Sequence, residues 1–270
     1  YTGYDGPQSD EVIRVDTPLA TTTYTNRNVW GEIESVRQVG TQNGYSVDYT
    51  TYNYYDAQRR LCRSITPEAG HTLFAYNNAN ELTSSQQGAA AGTNCAAPSG
   101  AAAVTLSYDA MGRLITTDFA DAGTPDITRS YDLNGNLLSI VRGTAAWSYL
   151  YNSLNLPTRE ALVIDGRTYQ TDHSYNAAGS LTQTAYPGGP TILYSPDALG
   201  RPSALQRSGG GSYATSLSYH ANGAVAAFTY GNGFVYSQTL TNRQMPLAIR
   251  AINGAVNAVD LTFGYDANNR

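Results

Sequence analysis

From Val104 to Tyr108 the chain alternates: Val104, Leu106 and Tyr108 fall on one side of an extended backbone, Thr105 and Ser107 on the other. A period of two marks a half-buried β-strand, because successive side chains of a strand point to opposite faces. Short runs of this kind, ended by clusters of Asp, Asn and Gly, predict an all-β chain of brief strands and tight turns.

The turns repeat. With Tyr as position one, the chain holds YDAQRRL from Tyr55, YNNANEL from Tyr76, YDAMGRL from Tyr108 and YDLNGNL from Tyr131. It continues with YNSLNLP from Tyr151, YNAAGSL from Tyr175, PDALGRP from Pro196, YHANGAV from Tyr219, LTNRQMP from Leu240 and YDANNR from Tyr265. Eight of the nine spacings between these ten copies are 20 to 25 residues, and the ninth, 32, contains the low-complexity stretch QQGAAAGTNCAAPSGAAA. That stretch reads as a loop inserted at about 83–103.

Each recurring residue has a mechanical reason. Asp or Asn at position two (Asp56, Asp109, Asp132, Asp197) can accept a hydrogen bond from the backbone two residues on. Gly at position five (Gly112, Gly135, Gly179, Gly200, Gly223) tolerates the positive φ that closes the turn. The expected form is a type I turn followed by a bulge, joining two strands into a hairpin. A period near 22 residues holds two strands of ~7 residues, each about 23 Å long. One hairpin cannot bury its apolar face alone, so hairpins must pair side by side, with equivalent tyrosines packing across strands. Twist accumulating over such an antiparallel array makes it coil into a spiralling sheet or hollow shell.

Departures from the motif carry expectations too. Arg59 and Gln244 stand at position five, where positive φ strains them, so another turn type is expected there. Pro157, Pro202 and Pro246 replace the Leu at position seven, and the weakest pairing is expected beside them. Residues 1–54 read as degenerate repeats, with YTNRNVW from Tyr24 a copy, and 55–270 as the regular array. YDANNR stops mid-turn, as expected of a fragment of a longer chain.

Composition narrows the function. The 270 residues include 22 Tyr against 5 Phe, and every one of the 16 basic residues is Arg. The length is enough to build a sizeable core. A net charge of −5, with acidic and basic residues scattered, gives no footprint for nucleic acid or an anionic membrane. No apolar run reaches the ~18 residues of a membrane helix. Cys62 and Cys95 are spaced unlike metal ligands. They either form a disulfide, as the composition of an exported protein favours, or remain two buried thiols.

No catalytic, cofactor-binding or metal-binding constellation emerges. His71, His173 and His220 lack the spacing of metal ligands and read as surface or turn residues, His220 taking the place of a turn Asp. Asp118, Asp121 and Asp126 form a small acidic cluster without the alternating ligands of a calcium loop. Gly209, Gly210 and Gly211 are not followed by the Lys and Ser/Thr of a phosphate loop and read as a hairpin tip. Exposed tyrosine ladders can stack on sugar rings, but cross-strand packing is the commoner use.

YDAMGRL and YDLNGNL resemble the YD repeat of the Rhs (rearrangement hotspot) family, and the resemblance extends from about Tyr55 to Arg270. That family includes bacterial polymorphic toxins, shell components of insecticidal toxin complexes, wall-associated proteins and teneurins. The resemblance implies a hollow β-shell enclosing a C-terminal effector domain of the same longer chain, in a secreted or cell-surface bacterial protein. Neither the Asp-Pro junction that ends such shells nor a toxin domain occurs in these residues. The expected role is therefore structural and non-enzymatic, with no cofactor. The alternative is an adhesin or filament segment binding glycans or a partner protein.

Overall fold

The structure is a computed structural model that describes residues 2–4, 12–16, 21–42 and 45–266. Among them are 23 β-strands and no helix, an all-β array of antiparallel hairpins. The chain divides into two compact units, Tyr1–Arg129 with Val141–Gly143, and Ser130–Ile140 with Thr144–Arg270.

In the first unit, strands β1 (Thr2–Tyr4), β2 (Val12–Asp16), β3 (Thr21–Arg27), β4 (Ile33–Gln42), β5 (Tyr45–Tyr55) and β6 (Leu61–Thr66) each pair antiparallel with the next. The meander continues through β7 (Gly70–Tyr76), β8 (Leu82–Gln87), β9 (Ala103–Tyr108), β10 (Leu114–Phe119) and β11 (Ile127–Tyr131). Strand β12 (Leu137–Arg142) falls mostly in the second unit. There β13 (Ala145–Tyr151), β14 (Pro157–Ile164), β15 (Arg167–Tyr175), β16 (Leu181–Ala185), β17 (Thr191–Pro196) and β18 (Pro202–Arg207) pair in sequence. So do β19 (Ser212–Tyr219), β20 (Val225–Tyr230), β21 (Val235–Leu240), β22 (Pro246–Asn253) and β23 (Val256–Thr262).

Register follows the motif. Position one faces position seven, as in Tyr76 opposite Leu82, Tyr108 opposite Leu114 and Tyr175 opposite Leu181, and the register slips beside each pair. The slip is the expected bulge, one extra residue on one strand.

Four expectations need correction. Arg59 (φ 64°) and Gln244 (φ 65°) adopt the same left-handed conformation as the glycines, and their turns carry the same backbone bonds. Closure of the turn fixes the backbone at position five, and the residue there bears a strain of about 1–2 kcal/mol. Pro157 and Pro246 do not shorten their ladders: β13–β14 and β21–β22 each hold six registered pairs, against five in β7–β8 and β9–β10. Beside Pro202 the ladder is shorter, with four pairs in β17–β18, the same number as β15–β16 holds with Leu181 at position seven. Pro157, Pro202 and Pro246 are each the first residue of a strand, a position that tolerates the missing N–H.

The early copy begins at Arg27, not Tyr24, because the turn that matches the others runs from Asn28 to Gly31 while Tyr24 lies within β3. Strand β8 extends to Gln87, so the inserted loop occupies 88–102. The turn expected from YDANNR falls partly on residues 267–270, outside those described.

The core is thin. Among the described residues the buried apolar side chains are Cys62, Leu73, Ala89, Ala103, Ile192, Ala214 and Ala251, and no large side chain is fully buried. Hairpin-to-hairpin contact along each meander, rather than a thick interior, therefore has to supply much of the stability.

Candidate functional site

The repeated turn is the chain's principal device. At Asp109 the backbone N–H donates to Arg113 O (2.9 Å) and Gly112 N donates to Asp109 O (3.0 Å). The Asp109 carboxylate accepts from Met111 N (2.9 Å) and Arg113 N (3.0 Å) through Oδ1, and from Arg113 Nε (2.7 Å) through Oδ2. Position two thus holds position six, in a pairing that Arg113 shares with Arg60 and Arg201. Arg113, the last residue of the turn before β10, is a turn partner of Asp109.

Where position two is Asn, position six can be Glu: Asn28 donates to Glu32 and Asn77 to Glu81, each at 2.6 Å. Asp132 receives the Asn136 amide at 2.8 Å. This complementarity is a sequence signal that a reading centred on positions one, two and five misses.

These bonds hold the turn carboxyls below the usual carboxylate range. For Asp109 the backbone bond from Arg113 leads; for Asp132 the Asn136 side chain leads, and for Asp197 the Arg201 side chain.

The tyrosines join one hairpin to the next. Position-one hydroxyls donate to the position-seven carbonyl of the preceding copy: Tyr76 to Leu61 (2.9 Å), Tyr108 to Leu82 (2.9 Å), Tyr151 to Leu137 (3.0 Å) and Tyr175 to Pro157 (2.8 Å). Tyr55 reaches Ile33, Tyr219 reaches Pro202 and Tyr265 reaches Pro246 in the same way. Proline at position seven keeps its carbonyl, which explains why it is accepted there. Position-six arginines complete the unit: Arg60 lies 5.0 Å over the Tyr76 ring and Arg201 4.4 Å over Tyr219. Burial pushes the phenols of Tyr76, Tyr151 and Tyr175 above their ordinary range.

The inserted loop is fastened separately. Cys62, buried in β6, and Cys95, on the exposed loop, form a disulfide with Cα atoms 5.2 Å apart. The adjacent Arg63, only 4% exposed, donates through Nε to Asn94 O (2.9 Å) and through Nη1 to Ala90 O (3.0 Å). Its Nη1 also lies 3.0 Å from His71 Nδ1.

Four of the other candidates have structural partners. His173 Nδ1 lies 3.2 Å from Thr184 Oγ1, and His220 Nε2 lies 2.9 Å from Gln238 O. Asp121 caps Gly123 N (3.1 Å) and Thr124 Oγ1 (2.8 Å), and Asp126 accepts from Phe119 N (2.9 Å). Among the described residues no three acidic, His or Cys side chains gather as metal ligands. Gly209, Gly210 and Gly211 form the positive-φ link between β18 and β19. In the first unit an open cleft of about 900 Å³ is lined by Tyr24, Asn26, Arg37 and Tyr52 among others.

No protein-family model matches the chain, and no curated protein matches it in sequence. Solved structures do match. The fold is similar to a chain of the Tc holotoxin pore of Photorhabdus luminescens, at 17% identity and a TM-score of 0.58, over 91% of this chain and 14% of that one. It is equally similar to a chain of the TcdB2-TccC3 crystal structure, at 17% identity and a TM-score of 0.58, over 91% of this chain and 15% of that one. This chain therefore spans about a seventh of those it matches, and what it shares with them is the fold.

Proposed function

We propose that this chain is a stretch of β-shell that encloses and protects an effector polypeptide of the same longer protein, in a toxin exported by a bacterium. Its work is mechanical, with no catalysis. The observation that carries this reading is the serial device just described: copies close their own turns, and seven of those with tyrosine at position one donate its hydroxyl back to the copy before, so the sheet extends without a thick core. A protein built to surround something needs area rather than depth. The likeness of fold to chains of Tc toxin structures supports the same reading.

The test is protease protection in the full-length parent. The segment following the array is expected to survive protease while the array is folded, and to be digested once the array is unfolded by denaturant. Digestion of that segment at the same rate in both states would remove the enclosing role.

A second reading, glycan binding, is favoured by the cleft in the first unit. Tyr24 and Tyr52 are 44% and 46% exposed there, and Arg37 grips Asp48 through two bonds of 2.9 and 2.8 Å. Aromatic faces beside a fixed polar pair suit a sugar ring. Tyr52→Ala should abolish any signal on a glycan array, and absence of signal from the unaltered protein rejects this reading.

A further inference from the structure

The fastening of the inserted loop does not serve the repeat. Residues 88–102 interrupt the otherwise short connections, yet they are held by two neighbours on β6, one covalently and one by a buried cation. Arg63 is the unusual member. Its guanidinium is buried, and the bonds it makes go to two loop carbonyls and an imidazole, with no carboxylate among the described residues as partner. A buried charge met only by neutral acceptors loses hydration that such acceptors only partly replace, so it gains by returning to water. The loop above it has few other anchors: between Gly88 and Ala102 only Ala89 is buried, its N–H donates to His71 O at 2.9 Å, and Ser99 N donates to Gln86 Oε1 at 2.8 Å.

We propose that the Cys62–Cys95 disulfide is a thiol-opened latch that holds this loop down over Arg63, and that reduction releases the loop while the hairpins stay paired. The inference rests on the enclosing role proposed above: the latch stays shut outside cells and opens where small thiols such as glutathione are abundant, loosening the shell at that point. Chemically, a glutathione thiolate attacks Sγ of Cys95, the cysteine on the exposed loop. This forms a mixed disulfide and expels Cys62 as a thiolate that takes up a proton. A second glutathione attacks the mixed disulfide, giving oxidised glutathione and a free Cys95 thiol, so two thiols are oxidised for one disulfide reduced. With the tether gone, hydration of Arg63 favours the detached loop.

The experiment compares hydrogen exchange and limited proteolysis of the protein with and without millimolar reduced glutathione, with alkylation and mass spectrometry to follow both cysteines. Exchange and cleavage in 88–102 should rise about tenfold or more on reduction, while protection of the tyrosine-bridged strands β13–β16 is unchanged. Cys95→Ser, which alters only the exposed loop, should show the released loop from the start and no further response to glutathione. The proposal is overturned if the disulfide persists in millimolar glutathione, or if the loop keeps its protection once both cysteines are alkylated. It is equally overturned if Cys95→Ser behaves as the oxidised protein. A shell that encloses nothing would fail the protease-protection test above and leave these readings untouched, so the two failures are distinguishable.

Discussion

Tyr108 stands on β9 with its ring half-buried and its hydroxyl 2.9 Å from the carbonyl of Leu82, one hairpin back. Removing that hydroxyl leaves the carbonyl without this donor, so Tyr108→Phe should cost about 1 kcal/mol in urea unfolding. A tyrosine that merely filled space would lose nothing measurable. Position five makes the opposite case. Gln244 sits at φ 65°, at the turn position that Gly112, Gly135 and Gly179 fill in other copies, so Gln244→Gly should stabilise the protein by about 1 kcal/mol as the strain is relieved. At Gly135, φ is 91° and no atom lies near an added Cβ, so Gly135→Val tests backbone strain without a clash. A loss of about 1–3 kcal/mol is expected, and an unchanged melting temperature would contradict the turn geometry.

At the scale of the turn, the pH dependence has a definite sign. Asp109, Asp132 and Asp197 have folded pKa values below the unfolded value of about 3.9. Their contribution to stability is therefore complete above that value and is lost as pH falls through the lower folded values. Urea unfolding between neutral pH and pH ~3 should show stability dropping at the acid end. Asp109→Asn keeps an Oδ1 acceptor, as Asn77 and Asn152 do in their own turns, but removes the titration. The variant's acid limb should be shallower, and an identical limb would show that Asp109 does not contribute to it.

The turn was readable from sequence because everything that defines it lies within seven residues: an Asx acceptor, a left-handed fifth position and flanking alternation. The first copy escaped because Arg27 occupies position one, although Asn28, Gly31 and Ile33 fit. The tyrosine acceptors were out of reach for a different reason. Tyr76 and Leu61 lie 15 residues apart, Tyr108 and Leu82 26 apart, and only the pairing of hairpins brings them together. Arg63 resembles any other arginine until the inserted loop is seen lying on it.

At the largest scale, within each of the two units, stability resides in a series of interfaces, each between one hairpin and the next, with no large side chain fully buried among the described residues to tie distant parts together. Such a chain behaves like a linear array whose units can be removed if their ends match. Residues 152–175 form one complete unit: β14, β15 and their turns, from the residue after Tyr151 through Tyr175. Deleting them joins Tyr151 directly to Asn176, so β13 would meet β16 with Tyr151 in the place of Tyr175, opposite Leu181. The donation from Tyr151 to Leu137 is preserved, and the turn from Asn176 to Gly179 is untouched. The shortened chain should keep a β-sheet circular dichroism spectrum and a cooperative urea transition, with an m-value reduced roughly in proportion to the surface removed. If it instead loses the spectrum or precipitates unfolded, stability is not passed from neighbour to neighbour, and the hairpins depend on one another over a longer range than their register implies.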